Sequence, residues 1–501
     1  MVPSEKAKEF LKIAPQFKLG HLVTESFHPK TTRLSFIAEE SVEAAHALLQ
    51  EVDRDALTIM RSKEGDLWAL AEAIKQTLSN GHRIYMCGCG ATGRLSLVLE
   101  TLYRQLHSGE DRVFSFMAGG DFALIKSVES FEDRTEYGEK QLMELGFRNG
   151  DLLLASTEGG ETPFVIGAAN KAAFVSENKP FFLYCNPDNV LEPIHRSREV
   201  IQNKNIHKIN LTVGAMSISG STRMQASTVL MLAIGVGLLH RHRNEIEFGT
   251  FYQNYLSRLM ETDYSQMAPF TSAEAEVYRK KTYVNYVTDP FLGISILTDT
   301  TERSPTFSLR AFENRLDPNH EHGLCYLFLP EAETSEHAWT ELLWRKPRPL
   351  HWDELDGKIS HERVLGFDIS GQGEVHRSKI IPTKSFSVFY QKDTVTFKFQ
   401  GHELNLKWGS DPLFNHLMVK MLLNAHSTLI MGLLGRYQGN VMTWVRPSNN
   451  KLIDRAARYI QQLAKQAGKS ATYETVVEKI FEEIEIVNED EPVVLRVLEK
   501  L

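Results

Sequence analysis

The feature that most constrains this chain is a repeated alternation. Between residues 83 and 240 short apolar runs are each followed by a helical segment. Runs at 83–88, 113–117, 151–156, 180–185 and 208–213 are rich in Leu, Ile, Val and Phe and are short enough for buried strands. The intervening segments, at 95–106, 125–145, 163–173 and 222–240, have helical length. Strand and helix in strict alternation predict a parallel sheet with helices on both faces. A parallel sheet collects its ligand loops at the carboxyl ends of its strands. Functional residues are therefore sought just after each run.

Three such loops carry anion-binding chemistry. The first reads Gly88-Cys-Gly-Ala-Thr-Gly93, between a strand and a helix. That position aims free backbone N–H groups and the positive helix end at an anion. Glycines permit the close approach, and Thr92 adds a hydroxyl. The same spacing fits a dinucleotide fingerprint, but the acidic residue expected after the second strand is displaced to Asp121. A tight turn without ligand is the third reading. From spacing alone, phosphosugar, dinucleotide and structural turn all stay open.

The second loop is Ser156-Thr-Glu-Gly-Gly-Glu-Thr162-Pro163, in which Thr157 and Thr162 supply hydroxyls and Pro163 suits a first helical turn. A threonine cap explains Thr162 equally well. The third is Ser219-Gly-Ser-Thr222-Arg-Met224, where Ser221 or Thr222 is expected to cap the next helix. Glu129, Glu132 and Asp133 are expected on one helix, with Glu129 and Glu132 sharing a face. They form a carboxylate source for general-base chemistry, or simply a solvated face.

After residue 250 the alternation resumes with strands expected at 283–298 (leading into a helix), 323–329, 363–368, 385–389 and 393–399. A long buried helix is expected at 413–434 and a charged helical tail at 452–501. The two halves look like a diverged duplication of one α/β unit. The resulting division is a helical segment at 1–59, a first α/β domain at 60–250, a second at 251–437 and a helical lid at 438–501.

A net charge of −8 on 501 residues argues against a general nucleic-acid binder. The longest apolar run, 229–239, is too short to span a bilayer. Four cysteines in a long chain with no apolar leader predict a cytoplasmic protein with reduced thiols. Neither Cys87 with Cys89 nor His320-Glu-His322 completes a regular metal site, and no metal or cofactor is expected.

Taken together, these motifs resemble the sugar isomerase (SIS) domain superfamily, and within it the N-acetylmuramic acid 6-phosphate etherases and the glucokinase regulatory protein. The resemblance rests on Gly88 to Leu95, Ala118-Gly-Gly120 with Glu132-Asp133, Thr162-Pro163, Gly220 to Met224, and the opening Leu22-Val-Thr-Glu25 with Pro29 and Leu34. It continues through Val419 to Asn424, His426-Ser427, Leu434-Gly435 and Ser448-Asn-Asn-Lys451-Leu452. It implies an α/β fold of two SIS-type doubly wound parallel-sheet domains in tandem plus a C-terminal helical lid.

It also implies roles. Gly90, Ala91, Thr92 and Gly93 would face a sugar phosphate, with Thr92 at a family serine. Thr157, Gly160 and Thr162 would shape the second loop, and Ser221 with Thr222 would close on the phosphate. Lys451 would reach in from the second half, and Glu132 would contact the sugar, as catalytic base if the protein is an enzyme. Leu102 falls where the etherases carry a catalytic glutamate, and Glu100 lies on another helical face. Gln225 replaces a family lysine and Ala91 a threonine. The leading expectation is thus a sugar-phosphate sensor, with a protein partner left unidentified, acting as a two-domain monomer or a homodimer. An etherase-like lyase or a phosphosugar isomerase is the alternative.

Overall fold

The computed structural model describes residues 3–16, 19–108, 110–128, 130–317, 321–355, 357–447, 449–487 and 491–501. Glu129, His320 and Ser448, singled out above, lie outside them.

The first five strands are β1 (Ile84–Gly88), β2 (Val113–Met117), β3 (Leu152–Ser156), β4 (Phe181–Tyr184) and β5 (His207–Asn210). They form one parallel sheet in the order β2-β1-β3-β4-β5. Every residue of β1, β2 and β3 is buried, as a sheet covered on both faces requires. From β1 the chain goes to β2 on one side and then to β3 on the other. The crevice at that reversal, beyond the ends of β1 and β3, is where such a sheet binds ligands. Cys87 pairs with Ala155, so the two strands end level. The Ser156 hydroxyl ties them by donating to the Cys87 carbonyl at 3.0 Å.

Two local expectations in this half are corrected. The helix expected over 125–145 is shorter, Thr135–Glu144, preceded by a 3₁₀ turn at Asp121–Leu124. Gly119, Gly120 and Ser130 have positive φ (91°, 64° and 60°), which bends the chain away from helix. Phe131 then anchors the stretch in the core, stacked on Trp352. Glu132 and Asp133 consequently sit in a turn, not on a helical face. The helix expected from 222 begins at Gln225, with Met224 before it, so neither Ser221 nor Thr222 caps it.

The second sheet has a parallel core, as expected of a second unit of this kind, and extends it with two antiparallel strands. β6 (Tyr283–Thr288), β7 (Cys325–Phe328) and β8 (Thr383–Gln391) are parallel, whereas β9 (Thr394–Phe399) and β10 (His402–Lys407) follow as antiparallel hairpins. The order is β10-β9-β8-β6-β7. Read from β7, this is the order of the first sheet. The hairpin turns Lys392-Asp393 and Gln400-Gly401 have positive φ at both residues, the backbone that two-residue hairpins require. The strand expected at 363–368 is instead a helix, His361–Leu365, started by Ser360, whose hydroxyl accepts from the Arg363 N–H at 3.3 Å.

The Pro412–Leu433 helix is buried along almost all its length and packs between the halves, against the Gln225–Leu239 and Pro290–Phe307 helices. The tail forms three helices, Asn450–Gln466, Tyr473–Ile484 and Val493–Glu499, and the second of these packs on the N-terminal Pro3–Ile13 helix. Arg455 pairs with Glu25, and the Tyr459 hydroxyl donates to the Ser219 carbonyl at 2.6 Å. These contacts fasten the tail over the open end of the first sheet. Among the described residues, no helix is long and apolar enough to cross a membrane.

Candidate active site

At the end of β1 the chain turns sharply into the Gly90–Leu106 helix. A Cβ at Gly88 would lie 2.4 Å from the Thr92 carbonyl carbon, and Gly90 has φ +52°. The turn therefore needs glycine at both positions. Thr92 bonds back on the turn: its hydroxyl accepts from the Cys89 N–H (3.0 Å) and donates to the Cys89 carbonyl (2.9 Å). Gly93 is packed against Met117. Thus Gly90 and Ala91 form cleft wall, while Thr92 and Gly93 shape the turn behind it.

The second loop divides the same way. The Thr157 and Thr162 hydroxyls are 3.0 Å apart, and Thr157 also accepts from the Gly160 N–H at 3.3 Å. Thr157 and Gly160 brace the loop from inside, and Thr162 reaches the wall. Glu161 pairs with Lys451 at 3.0 Å and with Arg196. Burial alone would raise the Glu161 carboxyl, but Lys451 and Arg196 draw it down to about 2. Glu161 in turn holds the Lys451 ammonium well above its usual range.

In the third loop Ser221 and Thr222 both line the cleft. The Ser221 hydroxyl is buried and has no hydrogen-bond partner among the described residues. Arg223 behind it donates to Thr428 (2.9 Å) and pairs with Asp299 (3.2 Å), which ties this loop to the second half.

These walls, with Glu132, enclose a cleft of about 1080 Å³ closed by Ser304, Arg310 and Asn449 from the second half and tail. That is ample for a small-molecule ligand. Two further wall residues were not singled out from sequence. Glu158 is 8% exposed and Glu302 is 3% exposed, and each has carboxyl oxygen without a hydrogen-bond partner. Glu158 lay in a loop read only for its hydroxyls. Glu302 sits inside a helix of the other half, where sequence gives no sign of the cleft.

Leu102 is fully buried in the core, and Glu100 does not stand in for the glutamate missing there. Its carboxylate accepts from the Ser115 hydroxyl (2.6 Å) and pairs with Arg348 (2.8 Å), Arg104 (3.0 Å) and Arg345 (3.2 Å). Burial opposes the charge, but Arg345, Arg348 and Arg104 hold the pKa at about 2. Arg345 also pairs with Asp121 at 2.6 Å. Glu100 is an anchor between the halves, outside the cleft wall.

Comparison with known proteins bears on this geometry. The profile of the glucokinase regulatory protein N-terminal SIS domain matches residues 67–173, which span the first two loops. An N-acetylmuramic acid 6-phosphate etherase of Prochlorococcus marinus (strain MIT 9303) is 30% identical over 229 residues, covering 46% of this chain and 68% of that protein. The chain belongs to the SIS superfamily, in the group of these etherases and the regulatory protein. The etherase of Picosynechococcus sp. (strain ATCC 27264 / PCC 7002 / PR-6) is 31% identical over 221 residues, 43% of this chain and 68% of that one. Among solved structures, the C-terminal domain of glucosamine-fructose-6-phosphate aminotransferase from Francisella tularensis aligns with a TM-score of 0.36 and 9% identity, over 75% of this chain and 96% of that one.

Proposed function

We propose that the cleft binds a phosphorylated sugar and that the protein acts on it as a lyase of the etherase kind. One observation carries the reading. Gly90 and Ala91 in the first turn of the Gly90–Leu106 helix, the Ser221 hydroxyl, unpartnered among the described residues, and the Lys451 ammonium all stand on one cleft. Free helix-end N–H groups, a hydroxyl and a cation together suit a phosphate monoester. Gly90, Ala91, Ser221 and Thr222 would hold the phosphate, with Thr92, Gly93, Thr157 and Gly160 fixing the backbone that does so. Lys451, steadied by Glu161, would set the charge balance.

Glu132 lines the same cleft and would take the proton from the sugar carbon beside the carbonyl. The enzymatic reading gains weight from relatives named as etherases over 229 residues. The sensor reading retains two supports: Leu102 in place of a family glutamate, and the regulatory-protein profile over 67–173. An aldose–ketose isomerase would use Glu132 in the same way.

The test is calorimetric binding of fructose 6-phosphate, fructose 1-phosphate, glucosamine 6-phosphate and N-acetylmuramic acid 6-phosphate, with products followed by NMR. Turnover abolished by Glu132→Gln supports the enzyme. Tight binding without turnover transfers support to the sensor, and absence of binding overturns both.

A further inference from the structure

A lyase needs two proton carriers, a base for the carbon and an acid for the departing oxygen. The position that would hold the second carboxyl is Leu102, buried in the core, and Glu100 is committed to three arginines. The cleft wall nevertheless holds two carboxyl groups besides Glu132, the Lys451-bound Glu161 and the Arg455-bound Glu25, namely Glu158 and Glu302.

Their surroundings differ. Glu302 lies on the Pro290–Phe307 helix, where burial raises its carboxyl but three cations, Arg94, Arg223 and Lys420, oppose the rise. Glu158 lies in the loop after β3, and the one cation acting on it is Lys451, whose ammonium is already paired with Glu161 at 3.0 Å. The other ionisable groups facing Glu158 are Glu132, Glu302, Cys89 and Cys185, none of which favours a second negative charge. Burial raises the Glu158 carboxyl to about 7. Its own backbone N–H and Lys451 oppose that rise, and Glu302 and Glu132 add to it. One of its oxygens is sealed from solvent and meets no donor among the described residues.

We propose, on the reading that this is a lyase, that Glu158 is the acid that complements Glu132. Glu132 takes the proton from the carbon beside the carbonyl. The electron pair of that C–H bond is first held as an enolate by the adjacent carbonyl, and it becomes the new carbon–carbon double bond when the ether C–O bond breaks in a second step. The departing oxygen leaves with its bonding pair and receives the Glu158 proton. Glu132 ends protonated and Glu158 ends as carboxylate, and exchange with water restores both. The balance needs no cofactor.

The experiment compares wild type, Glu158→Gln, Glu158→Asp and Glu132→Gln with N-acetylmuramic acid 6-phosphate in D2O. NMR reads deuterium entry at the carbon and ether cleavage, and calorimetry reads binding. Glu158→Gln is expected to bind within about threefold of wild type and to exchange the carbon proton. Its cleavage should be at least ~10²-fold slower, the usual worth of one positioned acid. Glu158→Asp should recover part of the cleavage, and wild-type kcat should fall as pH rises through about 7. Cleavage by Glu158→Gln at the wild-type rate overturns the proposal. So does joint loss of exchange and cleavage with binding intact, because Glu158 would then serve the first step. Wild type that binds but neither exchanges nor cleaves overturns the lyase reading and the proposal with it. That result is distinct from an active wild type matched by its Glu158→Gln variant.

Discussion

At the end of β1 the chain passes through Gly88 and Gly90 into a helix whose N-terminus faces the cleft. At the end of β6 it passes through Asp289 into the Pro290–Phe307 helix, and there the Asp289 carboxylate accepts from the Leu292 N–H (2.9 Å) and the Tyr390 N–H (2.6 Å). The same strand-to-helix turn thus places Gly90 and Ala91 on the cleft wall in one half and is capped by an aspartate in the other. The sheets differ in the same direction. In the first, β4 and β5 are parallel, and the chain beyond β5 carries Ser221 and Thr222. In the second, β9 and β10 are hairpin strands whose turns have two residues. A shared strand order with opposite endings shows a repeated frame, and it fits the proposal that anion binding belongs to one copy. The second copy contributes wall (Glu302, Ser304, Arg310) and anchorage (Arg345, Arg348).

The largest expected effect is on that anchorage. Glu100→Gln leaves Arg345 and Arg348 buried beside an uncharged amide. It is expected to destabilise the protein by about 3–5 kcal/mol, measured by denaturant unfolding. Loss of less than 1 kcal/mol would mean that Glu100 does not anchor the halves. The Glu100 and Glu161 carboxyls share a depressed folded-state pKa of about 2, against an ordinary 4.5. Their stabilisation is complete above about 4.5 and is lost as pH falls toward about 2. Acid titration of stability should show this fall in wild type and a smaller one in Glu100→Gln.

Next in size is a change that makes the first turn like the second. Ala91→Asp sets a carboxylate against the ligand phosphate. Such like-charge contact costs several kcal/mol, so affinity should fall at least ~10²-fold by calorimetry. The converse change, Asp289→Ala, removes a helix cap and should cost about 1 kcal/mol of stability while sugar-phosphate affinity stays unchanged. A loss of affinity there would show that the second turn takes part in binding. The smallest effect is expected from Ser221→Ala: about 1 kcal/mol of ligand affinity, with the free protein no less stable, because the hydroxyl has no partner to lose.

The alternation of the first half was legible because its strands are buried on both faces and read as continuous apolar runs, as in Leu152–Ser156. The Pro412–Leu433 helix was legible for the same reason. Sequence failed where tertiary contact decides. Phe131 is anchored in the core within a turn at 130–134, and His402–Lys407 is a largely exposed edge strand without an apolar run. The loops as such could be read, since each follows a strand. Which face of each loop meets the cleft could not. Thr92, Thr157 and Gly160 turn inward to hold backbone, while Gly90, Ala91, Thr162, Ser221, Thr222, Glu132 and Lys451 come together on the wall. Glu158 and Glu302 were missed because their burial, which makes them chemically notable, is a property of the closed cleft and not of neighbouring residues in the chain.

The most direct test of the central claim, that the open turn after β1 receives the phosphate of a sugar, is a calorimetric titration. Wild type, Ala91→Asp and Asp289→Ala would each be titrated with N-acetylmuramic acid 6-phosphate and with its unphosphorylated parent. The account predicts phosphate-dependent binding to wild type and Asp289→Ala and its loss in Ala91→Asp. Equal affinity for the two sugars, or undiminished binding to Ala91→Asp, would contradict it.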